Sequence, residues 1–338
     1  MPADPPPVTR VISGIQPTGN LHLGNLLGAI LRWVTMQEEA PCLFFLADLH
    51  SLSEHADPAT RRANVREMAA ALIASGIDTS RSVLFAQSAV PAHAELCWLL
   101  NGTARMGWLS RMTQWKDKGG KNKEGASVAL FDYPVLQAAD ILLYRASHVP
   151  VGEDQKQHIE LTRDIAVKFN TDYDTDLFVA PEPFIGAGSA ARVMSLRDGS
   201  AKMSKSDPSD MSRVNLIDDD DTIAAKIRKA RTDPDPLPDD PALLADRPEA
   251  RNLVGIMAAV TGQTEAQVCR EHAGQGFGAF KPALADALIA LLAPIRGRLE
   301  QLRSDPAMLD RELASGAARA AAIATPTLDA AYRAVGLR

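Results

Sequence analysis

Residues 9–29 read T-R-V-I-S-G-I-Q-P-T-G-N-L-H-L-G-N-L-L-G-A. Val11, Ile12 and Ile15 are β-branched and suit a short buried strand. Gln16-Pro17-Thr18-Gly19-Asn20 ends that strand with turn chemistry. Leu21 to Trp33 is mostly apolar, with Arg32 near its end, and reads as a helix packed on a sheet. A strand, a tight turn and a helix N-terminus bring unpaired N–H groups and the positive end of a helix dipole to one spot. Such a spot holds phosphate. Inside the turn, His22-Leu23-Gly24-Asn25 sets a glycine beside a small polar donor, which lets a nucleotide approach the backbone. Four residues of this kind also recur by chance, so an ordinary strand–helix turn stands beside the nucleotide reading.

The same alternation continues. Cys42 to Leu49 is a continuous apolar run closed by Asp48. It reads as a second strand buried on both faces, as in a parallel sheet. Asp48 and His50 fall at its C-terminal end, where open α/β sheets place ligands; a hydrogen-bonded loop histidine is the plainer role for His50. Asp57-Pro58 opens a helix to about Ser75 as N-cap and N1. Val83 to Ala86 is a third strand, and Pro91 to about Arg105 another helix. Val149 to Leu161 repeats strand, turn and helix.

At 338 residues two domains are expected. Hydrophobic content of 46% and charged content of 23% are those of an ordinary globular protein. Cys42, Cys97 and Cys269 form no pair motif, so no zinc or iron–sulfur site is expected, and a reducing cytoplasm is the natural setting. No apolar run reaches the roughly 18 residues of a membrane span. Residues 1–9 are proline-rich and read as a loose tail. The net charge of −6 argues against a non-specific nucleic-acid binder, although local basic patches could still meet RNA.

Four further stretches carry chemistry. Gly107 to Ala126 sets Lys116, Lys118, Lys121 and Lys123 among glycines; it reads as a mobile loop, either solvated or meeting phosphate. Tyr133 to Tyr144 places Asp140 on an otherwise apolar helix, with Gln137 three residues earlier on the same face. A buried carboxylate needs partners, so Asp140 either lines a specificity pocket with Gln137 or caps a neighbouring segment. Lys202-Met203-Ser204-Lys205-Ser206 puts two ammonium groups and two hydroxyls in five residues. That fits a polyphosphate clamp, and also an ordinary solvated turn. Asp218 to Asp221 suits the first turn of a helix over Thr222 to Ala230. Lys226, Arg228, Lys229 and Arg231 follow, facing either phosphate or solvent. Beyond a proline-rich loop at Thr232 to Pro248, helices are expected over Asn252–Val260, Thr264–His272, Pro282–Leu302 and Pro306–Ala322, with a turn at Gly274 to Lys281.

The His22-Leu23-Gly24-Asn25 turn and the Lys202 to Ser206 loop together resemble the paired signatures of the class I aminoacyl-tRNA synthetases, a His-Ile-Gly-His-like turn and a Lys-Met-Ser-Lys-Ser loop. The loop matches letter for letter; the turn departs at Leu23 and at Asn25, which can donate but carries no charge. Gly152-Glu153-Asp154-Gln155, continuing through Thr162-Arg163-Asp164, resembles the tryptophan branch. The tyrosine branch has another pattern there. The resemblance spans nearly the whole chain. It implies a doubly wound, Rossmann-like parallel sheet over residues 10–208 and a C-terminal all-helical domain over 209–338 that meets the tRNA anticodon.

The resemblance also implies residue roles. Gln16, Pro17, Thr18, Gly24, Asn25, Gly152, Glu153, Asp154, Val193 and Lys202 to Ser206 (Lys202, Met203, Ser204, Lys205, Ser206) would bind ATP. Lys202, Lys205 and Asn25 would act in the chemistry. Asp140, Gln155, Gly14, His50 and Gln137 would bind tryptophan, with Asp140 accepting the indole N–H; an indole offers a donor and no acceptor. A lysine of the 107–126 loop would reach ATP, without the sequence saying which. The implied substrates are L-tryptophan, ATP with its own Mg²⁺ and tRNA(Trp), and the implied assembly is a homodimer away from any membrane. A tyrosine-specific enzyme, a non-catalytic paralogue binding tRNA or a protein, and, more remotely, a small-molecule adenylyltransferase are the rival readings.

Overall fold

The computed structural model describes residues 10–19, 21–53, 55–119, 125–150, 156–184 and 192–338. Five strands form one sheet: β1 (Val11–Ile15), β2 (Cys42–Leu46), β3 (Val83–Ala86), β4 (His148–Pro150) and β5 (Glu182–Phe184). All pairs are parallel and the order is β3-β2-β1-β4-β5. The chain winds outward from β1 in both directions, so the order reverses between β1 and β4. In open α/β sheets the crevice at that reversal, at the C-terminal ends of the strands, is where ligands bind.

Alternate side chains of the strands enter opposite cores, as the twofold period of a strand requires. Val11, Phe44, Leu46 and Leu84 face one apolar layer. Ile12, Leu43, Phe45, Val83 and Phe85 face the other. Both faces are covered, which explains why Cys42 to Leu46 is apolar without a break.

After β1 the chain enters α1 (Leu23–Asn25), a π-helical turn (Leu26–Ile30) and α2 (Leu31–Glu39). Trp33 stacks on Phe44 with ring centroids 5.0 Å apart. The π turn was not legible; a helix over Leu21–Trp33 was expected, and the helical run starts later and ends six residues beyond Trp33. Helix α3 (Pro58–Ala74) begins as expected, with Asp57 accepting from the Thr60 N–H at 2.9 Å. Then come α4 (Ala92–Asn101), α5 (Met106–Leu109), α6 (Thr113–Gly119), α7 (Val128–Leu142) and α8 (Lys156–Asp172). Helices α5 and α6 occupy the stretch expected as a mobile loop. Leu109 and Met112 are buried there, and Trp115 meets the edge of Phe131 at 4.8 Å, so apolar anchors fold a segment whose lysines suggested a coil.

The remaining helices are α9 (Asp220–Arg228), α10 (Pro248–Thr261), α11 (Glu265–Glu271), α12 (Phe277–Arg303) and α13 (Pro306–Ala334). Helix α12 starts five residues before Pro282, because Phe277 and Phe280 are buried and draw the expected turn into the helix. It has the length and mean hydropathy, 1.5, of a membrane span. Its stripe of Leu284, Leu288, Leu292 and Leu299 is instead buried in the core that holds Leu23 and Phe44. Helix α13 runs twelve residues past its expected end at Ala322, through Pro326. The extension carries Ala324, Leu328 and Ala331 into the second core. The change of sequence texture at residue 208 is therefore no break in the core.

Strand β3 is an edge, and exposed edges invite pairing with other chains. Helix α13 lies on it so closely that a Cβ at Gly316 would run into the Leu84 carbonyl. Gly316→Ala should therefore cost about 1–3 kcal/mol by overpacking, whereas Ser315→Ala, on the exposed side of the same turn, should stay within about 0.5 kcal/mol. Urea unfolding of the two variants checks this.

Candidate functional site

The two phosphate-type motifs meet at the reversal of strand order. Residues 213–216 run back along the first turn: Leu23 N–H donates to the Val214 carbonyl at 2.8 Å, and Leu216 N–H to Leu21 at 3.0 Å. The lysine loop is closed by a short antiparallel contact, Met194 against Lys202, with Met203 N–H donating to the Val193 carbonyl at 3.1 Å. Met203 is buried, and a Cβ at Gly24 would lie 3.5 Å from its Cβ. That is an ordinary contact distance; the tighter approach at Gly24 is to the His22 ring, 3.0 Å from where a Cβ would stand. Lys205 completes the contact by donating from Nζ to the Thr18 carbonyl at 2.5 Å and to its hydroxyl.

Each expected residue can be placed against this frame. Gln16 is exposed, and its carbonyl accepts from Thr18 N–H at 2.9 Å, which tightens the turn around buried Pro17. Asn25 Oδ1 accepts from His22 N–H at 3.2 Å, so this side chain caps its own helix. Lys202 is exposed and its ammonium makes no hydrogen bond among the described residues. Ser204 and Ser206 hydroxyls pair at 2.8 Å. The Val193 carbonyl is committed to Met203. Gly152, Glu153, Asp154 and Gln155, with Lys121 and Lys123, lie outside the described residues; Lys116 sits on α6.

His22 belongs to the first motif but was not singled out. Burial, followed by the cations of Lys205, Arg213 and Lys202, lowers its pKa to about 4. A neutral ring thus stands among three positive groups, and its buried Nδ1 has no hydrogen-bond partner among the described residues.

Lys226 corrects an expectation. It was read as facing phosphate or solvent, yet it is buried. It donates to Asp218 at 2.6 Å and pairs with Asp210 at 2.7 Å. Arg213 reaches Asp210 at 3.1 Å, and Asn215 N–H donates to Asp218 at 2.8 Å. This network fixes the segment that runs beside His22 and Leu23. Only Asp219 of the acidic run acts as the simple helix cap, accepting from Thr222 N–H at 2.7 Å.

On the other face of the sheet Asp140 is wholly buried on α7. Oδ1 accepts from Gln87 Nε2 at 2.7 Å and His93 Nδ1 at 2.6 Å. Oδ2 accepts from His50 Nε2 at 2.8 Å. His93 Nε2 in turn meets the Tyr144 hydroxyl at 2.8 Å, and Gln87 Oε1 accepts from Leu49 N–H at 3.1 Å. The Tyr133 hydroxyl pairs with His158 Nε2 at 2.5 Å, and its ring meets the His50 ring edge-on. Gln137 is half-buried one turn from Asp140. Gly14 is exposed at the end of β1; any Cβ there would collide with the Phe45 ring. Of this cluster the sequence pointed to Asp140, His50, Gly14 and Gln137. It gave no sign of Gln87, His93 or Tyr144, which look like ordinary residues of strand ends and helices. Their only signal was the need of a buried carboxylate for donors.

Burial by itself pushes the Asp140 carboxyl up. The hydrogen bonds from His50 and His93, with the fields of those rings, outweigh it and hold the pKa at about 2. An ionised carboxylate only accepts, and each oxygen offers two lone pairs. Oδ1 is full, so among the described residues one acceptor position remains, on Oδ2.

A parallel sheet with a turn and helix start at its reversal point, a two-lysine loop docked on that turn and a buried carboxylate acceptor across β1 make the frame of a nucleotide-binding α/β protein. The family described as tRNA synthetases class I (W and Y) matches residues 7–293. The chain is 58% identical over 335 residues to the tryptophan–tRNA ligase of Caulobacter vibrioides, covering 99% of this chain and 96% of that one. Among solved structures, the tryptophanyl-tRNA synthetase of Mycoplasma pneumoniae superposes with a TM-score of 0.87 at 31% identity, covering 98% of each chain. That of Campylobacter jejuni, complexed with ADP and tryptophan, gives 0.80 at 35% identity over 97% of this chain and 100% of the other. The chain belongs to the class I tRNA synthetases of the tryptophan and tyrosine group.

The low carboxyl pKa carries a sign. The folded value lies below the ordinary one, so the stability it contributes is complete above about pH 4 and is lost as pH falls through about 2. Between about pH 5 and 2 the wild type should lose roughly 2 kcal/mol more than Asp140→Asn, as urea unfolding at each pH will show. Lys226→Met should cost about 1–3 kcal/mol, because it takes the cation from the half-buried Asp218 carboxylate. Lys229→Met, on the exposed face of the same helix, should stay within about 0.5 kcal/mol by the same measurement.

Proposed function

We propose that this chain activates L-tryptophan with ATP and transfers it to the 3′ end of tRNA(Trp). The observation that carries the reading is the seating of Lys205 on Thr18 at the reversal point of the sheet, in a family whose relatives are tryptophan–tRNA ligases. In the first step an oxygen of the tryptophan carboxylate attacks the α-phosphorus of ATP. The bond to the bridging oxygen breaks, and pyrophosphate leaves with that electron pair. In the second step the terminal adenosine hydroxyl of tRNA attacks the tryptophanyl carbonyl, releasing AMP. The attacking carboxylate is already ionised, so no side chain has to act as nucleophile. Catalysis is positioning and charge stabilisation.

The meeting of the two motifs at the reversal of strand order supports a set of residue roles. The turn from Gln16 to Thr18, with Gly24 and Asn25, receives the nucleotide. Its phosphates lie towards Lys202, Lys205 and the Ser204–Ser206 pair, and Mg²⁺ arrives bound to them. Met203 and the Val193 backbone form the floor under the adenine. Gly152 to Asp154, which come after β4 in the sequence, take the ribose; Gln155 takes the α-amino group. Asp140 receives the indole N–H on the free position of Oδ2, in a pocket shared with His50, Gly14 and Gln137. The neutral His22 adds no charge of its own among the cations.

Two features outside the pocket bear on assembly. Leu52, Trp98, Met106 and Val128 are 52%, 79%, 71% and 81% exposed. Trp98 and Val128 lie one helical turn from the Asn101–Asp132 bond that joins α4 to α7, and Leu52 and Val128 are next in sequence to the Ser53–Ser127 bond. Such an apolar patch suits a homodimer contact. The helices after residue 208 offer the surface for the anticodon, and a cytoplasmic location goes with these substrates.

Amino-acid-dependent ATP–pyrophosphate exchange tests the reading. Tryptophan should support exchange, and tyrosine should not. Exchange with tyrosine alone would move the chain to the sister branch, and none with either would favour a binding-only role. Lys202→Ala should lower the tryptophan-dependent rate by roughly 10²–10³. Asp140→Ala should lose most of the preference for tryptophan over phenylalanine, which in a site built to hydrogen-bond its substrate can reach roughly 10⁴–10⁵.

A further inference from the structure

We propose that His93, held by Tyr144, is a positioning residue for amino-acid specificity: it keeps Asp140 an acceptor-only carboxylate, turned so that its one free lone pair meets the indole N–H. This rests on the reading of Asp140 given above.

The argument begins with access. His93 has no exposed surface. Its ring lies between Phe45, Phe85 and Tyr144, at centroid distances of 5.9, 5.8 and 5.4 Å. It stands behind Asp140, where a ligand in the crevice does not reach, so any effect on substrate passes through the carboxylate. Tyr144 is equally buried, and its hydroxyl meets His93 Nε2. With the tyrosine O–H donating to Nε2, the ring proton of a neutral imidazole sits on Nδ1, which faces Asp140 Oδ1 at 2.6 Å. The donor direction thus runs one way, from Tyr144 through His93 to the carboxylate.

The consequence is chemical. A carboxyl buried this deeply tends towards the neutral acid. The acid carries an O–H donor as well as an acceptor. It could therefore bind a side chain that offers an acceptor, such as a phenol oxygen, or tolerate one that offers nothing. An anion held by fixed donors accepts only, and it is left with an unmet acceptor when a ligand lacks the N–H. Gln87 and His50 supply the other two donors, but His50 is carried by a short turn at the rim. Among the described residues His93 Nδ1 has no partner but Asp140, and its ring, like Gln87, has no exposed surface.

The test is pyrophosphate exchange on the full chain, comparing tryptophan with its benzothiophene isostere, in which sulfur replaces the indole N–H. Wild type should prefer tryptophan by roughly 10²-fold or more in kcat/KM. His93→Leu should reduce that ratio at least about tenfold, mostly through the KM for tryptophan, with the KM for ATP within about twofold. His93→Asn, whose amide can donate where Nδ1 did, should restore most of the ratio. Tyr144→Phe removes a single oxygen, should fold even if His93→Leu does not, and should give an intermediate ratio. An unchanged ratio in folded His93→Leu, or in Tyr144→Phe where the leucine variant fails to fold, overturns the proposal and leaves His93 a packing residue. A wild type indifferent to the N–H overturns the Asp140 reading, and this proposal with it. A discriminating wild type beside an unchanged variant overturns this proposal alone.

Discussion

A charge without water needs donors on every side, and Asp140 organises one half of the molecule by that requirement. Its three donors come from three places: the turn after β2, the end of β3, and α4. These positions lie between 47 and 90 residues from Asp140 in sequence. They meet because parallel strands end together on one side of a sheet and helices return over its face. Removal of any donor leaves a buried charge short of a partner, which costs far more than an ordinary hydrogen bond is worth. The cluster therefore fixes where α4 and α7 sit, and α7 in turn carries Tyr133 and Gln137 to the crevice.

The phosphate half is built on the opposite principle. Its two lysines, Lys202 and Lys205, are exposed, so little of their desolvation is met in advance. What is prepaid there is geometry. The Lys226 network ties residues 210–218 to α9, and those residues run along the His22 turn. Asn252 on α10 holds Met194 on both its N–H and its carbonyl, at 2.8 and 3.0 Å. The lysine loop hangs from that segment. The helices after residue 208 thus fix the position of chemistry carried by the residues before it, which is why the core shows no seam at the boundary.

Much of this was legible in sequence because it depends on local patterns. Continuous apolar runs identified central strands, Asp57-Pro58 announced a helix, and the two motifs named their own region. What stayed hidden depends on contacts between distant residues. Val149 to Leu161 showed a strand but not which strand it would join. The lysines of residues 107–126 suggested a coil, while Trp115 and Met112, which decide the matter, needed partners from α7 to show their role. Lys226 looked like its neighbours Arg228 and Lys229; only the helix phase and the two distant aspartates separate it from them. Of the Asp140 pocket, the carboxylate was conspicuous for being polar on an apolar helix. Its donors were not, since Gln87 and His93 gain meaning only from what they touch.

The two halves touch through the smallest residues in the site. Gly14 ends β1 between them, and Phe45 fills the space where a side chain would stand. Phe45 is also one wall of the His93 cage. At Gly24 on the phosphate side the close neighbour is the His22 ring, 3.0 Å from where a Cβ would stand. A side chain at Gly14 would displace Phe45, which packs against His93, and so disturb Asp140; one at Gly24 would press on the His22 ring. Neither glycine has a positive φ among the described residues, so backbone freedom is not the reason for them. Close approach is, and the same requirement serves a reaction whose catalysis consists of holding a carboxylate against a phosphorus atom.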